Sequence, residues 1–128
     1  MNRTLLRSKI HRLRVTERDV EYEGSLTLDR ELMRAADLVP YERIEVYDVD
    51  NGNRFATYLL EGAAGSGECC VNGAAARQVE IGHRVILASY VTLGDDAVAG
   101  HRPTVVLVDE RNGVREVKTH EGAGVRVG

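Results

Sequence analysis

Two Asn-Gly pairs, Asn51-Gly52 and Asn112-Gly113, each stand between segments in which apolar and polar residues alternate. Asn and Gly enter the left-handed backbone region of a tight hairpin turn more readily than other residues. A period of two on both flanks is the mark of paired, half-buried strands. "RIEVYDVDNGNRFATYLL" (43–60) and "TVVLVDERNGVREVKT" (104–119) therefore read as β-hairpins with tight turns. Between them, "HRVILASYVTL" (83–93) is apolar enough for a central strand. "RTLLRSKIHRLRV" (3–15) alternates more loosely, and "DVEYEG" (19–24) with "SLTL" (25–28) reads as one strand interrupted at Gly24. Asp29 is a good N-cap for a short helix, "RELMRAADL", whose Leu32, Met33 and Ala36 form an apolar stripe. Pro40 stops that helix from continuing. A Gly-rich loop "EGAAGSGE", a short strand "CCVN" and a small-residue turn "GAAAR" (73–77) complete the pattern. Many short strands, few helices and no strand–helix–strand rhythm predict a small closed barrel rather than an α/β sheet.

At 128 residues the chain has the length of one domain, and 43% apolar residues supply a core. The expected division is a single barrel over 1–119 with a flexible tail over 120–128. A net charge of -3, with both signs spread along the chain, argues against nucleic acid or an anionic membrane as partner. No apolar run approaches the ~20 residues that span a bilayer. The start, "MNRTLLRSKIHRLRV", lacks the apolar stretch of a secretory signal, so a cytoplasmic location is expected. Cys69 and Cys70 are adjacent; on a strand they point to opposite faces, which suits neither a mutual disulfide nor a metal site. No chemistry is assigned to them, and no metal is expected.

Five stretches, in order, carry a resemblance: "KIHR" (9–12), "YEGS" (22–25), "NGNRFATY" (51–58), "VNGAAA" (71–76) and "ILASYVT" (86–92). Together they resemble the pyruvoyl-dependent L-aspartate 1-decarboxylases over about residues 1–110. The resemblance implies a six-stranded double-psi β-barrel with short helices, usually a homotetramer, made as a proenzyme that cuts itself between Gly24 and Ser25 into 1–24 and 25–128. It implies decarboxylation of L-aspartate to β-alanine, feeding pantothenate and coenzyme A synthesis. The cofactor would be a pyruvoyl group made from Ser25, with no pyridoxal phosphate.

The chemistry needs a hydroxyl directly after a carbonyl. Ser25 Oγ attacks the Gly24 carbonyl carbon and converts the amide to an ester. Loss of the Ser25 α-proton expels the Gly24 carboxylate, and the remaining dehydroalanine hydrolyses to a pyruvoyl group and ammonia. A glycine before the serine leaves the carbonyl open and tolerates unusual backbone angles, so local strain is one expected driver. The ketone then condenses with the substrate amine as a Schiff base and accepts the electrons released with carbon dioxide.

The family pattern also implies roles for other residues. Arg54, with its planar fork, suits the substrate carboxylate that stays, and Lys9 adds a second charge. Tyr58 matches the proton donor, since a phenol keeps its proton at neutral pH. Asn72, Gly73, Ala74 and Ala75 offer donors for developing negative charge, and the run of alanines leaves room for substrate. His11 and Tyr22 are supporting residues, and Thr57 serves processing or substrate. Alternation along "RFATYLL" sets Arg54, Ala56 and Tyr58 on one face and Thr57 on the other. A bulge near 56–57, a role for Thr57 in the precursor alone, or a subunit boundary at the site would each reconcile the two. Leu26-Thr27 departs from relatives with a Cys and a small residue after the serine. Some relatives need a maturation partner. Two other readings stay open: a pyruvoyl enzyme for another amino acid such as glutamate, and an uncleaved barrel that serves as a binding or assembly module.

Overall fold

The computed structural model describes residues 1–121, and most of the tail expected over 120–128 lies outside the described residues. The chain is mainly β, with short helices. Its elements are β1 (Asn2–Arg14), β2 (Glu17–Asp19), β3 (Ser25–Asp29), α1 (Arg30–Ala35), β4 (Arg43–Asp48), β5 (Arg54–Gly62) and β6 (Cys69–Asn72). A 3-10 helix (Gly73–Gln78), β7 (Arg84–Gly94), α2 (Asp95–Val98), β8 (Thr104–Val108) and β9 (Val114–Lys118) follow. The strands pair in the order β2-β6-β3-β5-β4-β7-β1-β8-β9. Three of these pairings, β1–β8, β2–β6 and β3–β5, are parallel, so the sheet is mixed. Nine strand segments stand where six strands were expected, and the pairings among the described residues do not close into a ring.

Part of the excess comes from the stretch read as one strand over 19–28. It is two strands: β2 ends at Asp19, whose Oδ1 accepts the Glu21 N–H at 3.1 Å and turns the chain. The loop 20–24 then leads into β3. Strand β1 departs from strict alternation for a different reason. Its ladder with β7 shifts register between Leu6 and Ser8 and again between Ile10 and Leu13. Arg12, at φ 61°, marks the second irregularity, and the extra residue lets Ile10 and Leu13 both point into the core at a spacing of three.

The core is built from alternate residues of several strands: Leu26 and Leu28 of β3, Ile44 and Val46 of β4, Val85 and Leu87 of β7. Helix α1 adds Leu32 and Met33. Asp29 caps the helix as expected, its Oδ1 accepting the Glu31 N–H at 2.8 Å. The same carboxylate takes the Gly65 N–H at 3.0 Å and the Gly67 N–H at 2.8 Å, which ties the Gly-rich loop to the helix start. The helix ends at Ala35, short of the predicted Leu38, because Asp37 turns left-handed (φ 56°) before Pro40 is reached.

Both predicted hairpins form, with longer turns than two residues. The first loop, 49–53, is gathered by Asp48, whose Oδ1 accepts the Asp50 N–H at 2.8 Å, and Gly52 takes φ 79°. In the second, Asn112 (φ 63°) is the left-handed residue, and it is buried. Its side chain bonds both the N–H and C=O of Arg14 and the Gly67 carbonyl, all at 2.8 to 2.9 Å.

Candidate active site

Strands β3 and β6 run antiparallel with Ser25 opposite Asn72 and Thr27 opposite Cys70. Alternation sends Leu26, Leu28, Cys69 and Val71 into the core and turns Ser25, Thr27, Cys70 and Asn72 to the other side. Four polar side chains thus meet across one pair of strands. Ser25 is fully buried and Asn72 is 3% exposed. Asn72 Nδ2 donates to Ser25 Oγ at 3.0 Å and to Thr27 Oγ1 at 3.1 Å. Ser25 Oγ in turn donates to the Glu23 carbonyl at 3.0 Å.

The residue after Asn72 closes the site from the other side. Gly73 opens the 3-10 helix at φ 75°, a backbone angle that side chains resist. A Cβ there would stand 2.6 Å from Gly24 Cα and 2.9 Å from Gly24 N. The backbone of Gly24, on the side of its own N–H, therefore rests on the bare backbone of Gly73. Gly24 itself has open space where a Cβ would go and no positive φ, so left-handed strain at residue 24 is absent. Asn72 precedes the helix, yet its side chain makes no capping bond, being turned to Ser25 and Thr27. Of the three alanines, Ala76 fills the core and Ala75 packs against it; Ala74 is exposed. Core packing, not room for a ligand, accounts for Ala76.

Strand β5 lies beside β3 in parallel, with Leu59 opposite Leu26. Continued one residue back, that register sets Tyr58 beside Ser25. The β4–β5 ladder runs from Arg43–Tyr58 to Tyr47–Arg54 without a shift, so the bulge considered near 56–57 does not form in it. Leu59 and Phe55 face the core, and Thr57 shares their face. Arg54, Ala56 and Tyr58 face away from it, and the Tyr58 ring lies 6.4 Å from that of Tyr41.

Arg54 stacks on Tyr47, its guanidinium carbon 4.5 Å from the ring centre. Tyr47 and Tyr90 join their hydroxyls at 2.8 Å. Burial first, then this bond, pushes the Tyr47 phenol up to about 12. Lys9 lines a cleft with these two tyrosines, Leu6, Ile86 and Ala88, and pairs with Glu121 at 3.3 Å. His11 is elsewhere, opposite Leu107 in the β1–β8 ladder and in a cavity with Arg12 and Arg115. Tyr22 is half exposed, and its carbonyl would lie 3.3 Å from a Cβ at Gly73. The candidate residues thus form two groups, one around Ser25 and one around Arg54 and Lys9.

Thr27 and Cys70 carry no weight in the sequence reading. Each stands two residues from a candidate, Ser25 or Asn72, and the strand period would have placed them on the same face.

A profile of the aspartate decarboxylase family matches residues 1–115. The aspartate 1-decarboxylase of Cupriavidus necator is 47% identical over 118 residues, 92% of this chain and 98% of its own. That of Syntrophus aciditrophicus is 52% identical over 115 residues, 90% of this chain and 99% of its own. That of Syntrophobacter fumaroxidans is 54% identical over 112 residues, 88% of this chain and 90% of its own. With a family profile over residues 1–115 and relatives this similar over nearly their whole length, the chain belongs to the aspartate decarboxylase family.

Proposed function

We propose that this chain decarboxylates L-aspartate to β-alanine and carbon dioxide, after cutting its own backbone between Gly24 and Ser25. The observation that carries the reading is a fully buried serine hydroxyl, directly after a glycine carbonyl, with the Asn72 amide 3.0 Å from its Oγ. Processing would leave 1–24 and 25–128 within one barrel domain over 1–119, the rest being tail. To begin, Ser25 Oγ must leave the Glu23 carbonyl and turn onto the Gly24 carbon, while Thr57 polarises the Gly24 oxygen.

A pyruvoyl group fits at residue 25. Asn72 Nδ2 supplies the donor that a carbonyl oxygen there needs. Once formed, such a ketone supplies the electron sink that pyridoxal phosphate supplies in other amino acid decarboxylases. The chain's own residues do the rest. Arg54 grips the carboxylate that stays, with Lys9 as a second positive charge. Tyr58 gives its proton to Cα as carbon dioxide leaves. Asn72 and the first-turn N–H groups of Gly73, Ala74 and Ala75 receive developing negative charge.

The separation of the two groups supports a site shared between copies. Tyr58 stands beside residue 25 of its own chain, and Arg54 and Lys9 join the same reaction most simply when those of one copy face residue 25 of the next. A homotetramer supplies that arrangement. Among the described residues no helix is long and apolar enough to cross a membrane. The reading places the enzyme in the cytoplasm, feeding pantothenate and coenzyme A synthesis, with a maturation partner only if purified chain fails to cleave.

The test is denaturing mass spectrometry of aged protein, followed by borohydride in the presence of aspartate. Two fragments, with the adduct on 25–128 and β-alanine as product, are expected. A single intact chain that takes up no label would overturn the reading, and faster product from glutamate would change the substrate.

A further inference from the structure

We propose that Cys70 is a positioning residue: its thiol fixes the orientation of the Asn72 amide, so that Nδ2 rather than Oδ1 faces residue 25. The catalytic part of this inference rests on the function proposed above; the structural part does not.

An asparagine amide has two ends of nearly equal shape and opposite hydrogen-bonding sense. Which end meets residue 25 decides whether Asn72 donates to that site or accepts from it. Nδ2 gives one proton to Ser25 Oγ at 3.0 Å and the other to Thr27 Oγ1 at 3.1 Å. Oδ1 receives the Cys70 thiol at 3.3 Å. Cys70 is 6% exposed, Asn72 3%, and Ser25 is fully buried, so water offers little substitute.

Turning the amide over breaks this set. The NH2 group would then have only sulfur, a weak acceptor, to meet, and the thiol would lose its oxygen acceptor. Oδ1 would face Thr27 and Ser25, and the Ser25 proton already goes to the Glu23 carbonyl. The thiol end of the argument holds only while sulfur keeps its proton. Burial first, then the carboxylates of Glu17, Glu68 and Asp19, push the Cys70 thiol up to about 11, so it donates at neutral pH. Cys69, its neighbour, turns into the core and cannot share the task. The register makes the arrangement a consequence of the sheet: Cys70 is two residues before Asn72 on β6, opposite Thr27.

The experiment compares Cys70→Ser, which keeps a donor, with Cys70→Ala, which keeps the small size and loses it. Turnover is measured per matured chain, with the matured fraction read by mass spectrometry. Cys70→Ser is expected within about threefold of wild type in kcat/KM, and Cys70→Ala about tenfold lower, the scale of one buried hydrogen bond. In an Asn72→Ala background the difference between Ser and Ala should vanish. Equal activity of the two variants, or Ala above Ser as packing alone would give, overturns the inference. A second measurement stands apart from catalysis: hydrogen exchange of the Asn72 side-chain NH2 by nuclear magnetic resonance. It should be slow in wild type and Cys70→Ser and at least about tenfold faster in Cys70→Ala. If the wild-type chain never cleaves, the proposed function fails while this measurement still decides the role of Cys70. Equal exchange in all three overturns that role whatever the enzyme does.

Discussion

The group around Ser25 and the group around Arg54 are built on opposite principles. Ser25, Thr27, Cys70 and Asn72 are short side chains on two paired strands, and the register alone brings them together. Arg54, Lys9, Tyr47 and Tyr90 are long side chains from four strands, meeting at a surface where Tyr90 is 44% exposed. The first group is complete within one chain, since burial obliges each polar atom to find a partner. The second holds its cations by a stacked ring and a carboxylate near the chain end, contacts that a substrate or a second copy can replace. Backbone cleavage should therefore depend on the first group, and turnover on both.

Ser25→Ala gives the largest effect: no cleavage and no product, with the fold intact by circular dichroism. Product from that variant would break the comparison outright. Tyr58→Phe comes next. Its proposed role is to protonate Cα after the ketone has formed, so cleavage should proceed while kcat falls about a thousandfold, the scale of a lost general acid. Loss of cleavage instead would move Tyr58 into the first group.

Gly73→Ala tests the buried group by backbone rather than chemistry. The new Cβ would meet Gly24 at 2.6 Å, at a φ of 75°. Strain of this kind costs about 1–3 kcal/mol. Cleavage should slow about a hundredfold and the urea midpoint should fall, both relative to wild type. Arg54→Lys keeps the charge but loses the fork and much of the stacking on Tyr47. KM for aspartate should rise about tenfold with the cleavage rate as in wild type, measured by steady-state kinetics and mass spectrometry.

How much of this was legible beforehand follows from which forces are local. Alternation and Asn-Gly pairs located β4, β5, β7, β8 and β9, because cross-strand pairing and turn chemistry are written in neighbouring residues. The opposed faces of Thr57 and Tyr58 were also readable, and the unshifted ladder keeps them opposed. The irregularity at Arg12 was not: an inserted residue has no periodicity, and only the paired strand shows that Ile10 and Leu13 both face inward. Asn112 read as a turn residue. It is one, yet its buried side chain also joins β1 to the Gly-rich loop, reaching back 98 residues to Arg14 and 45 to Gly67, which no local pattern carries. The junction at Gly24-Ser25 was recognised from the family motif, since a Gly-Ser pair in isolation says only turn. What surrounds it, Gly73 against Gly24 and Cys70 behind Asn72, depends on strand register and emerged only from the fold.

A third element, the loop 49–53, lies between the two groups and offers the finest test of their separation. It precedes Arg54, and its Asn51 and Asn53 side chains donate to the Gln78 carbonyl at 2.9 and 3.0 Å, at the far end of the helix that Gly73 opens. The loop is anchored by Asp48, whose Oδ2 meets His83 Nδ1 at 2.8 Å. That bond, with Asp50 and Glu80 nearby, raises the His83 pKa above its ordinary value. A raised histidine contributes stability that is fully present below the unfolded pKa of about 6.5 and is lost as pH climbs through the folded value. Asp50, facing Arg84, shifts the opposite way: its carboxyl is held down, so its contribution is present above the ordinary carboxylate range and is lost only as pH falls through its lowered value. Between pH 5.5 and 8.5, histidine is the group of this cluster that titrates. The urea midpoint of wild type should exceed that of His83→Gln at pH 5.5, and the gap should narrow by pH 8.5. A gap that stays constant would mean a neutral hydrogen bond at every pH. If the variant slowed backbone cleavage as much as it weakened aspartate binding, the loop would be one frame for both groups, and their independence would be lost.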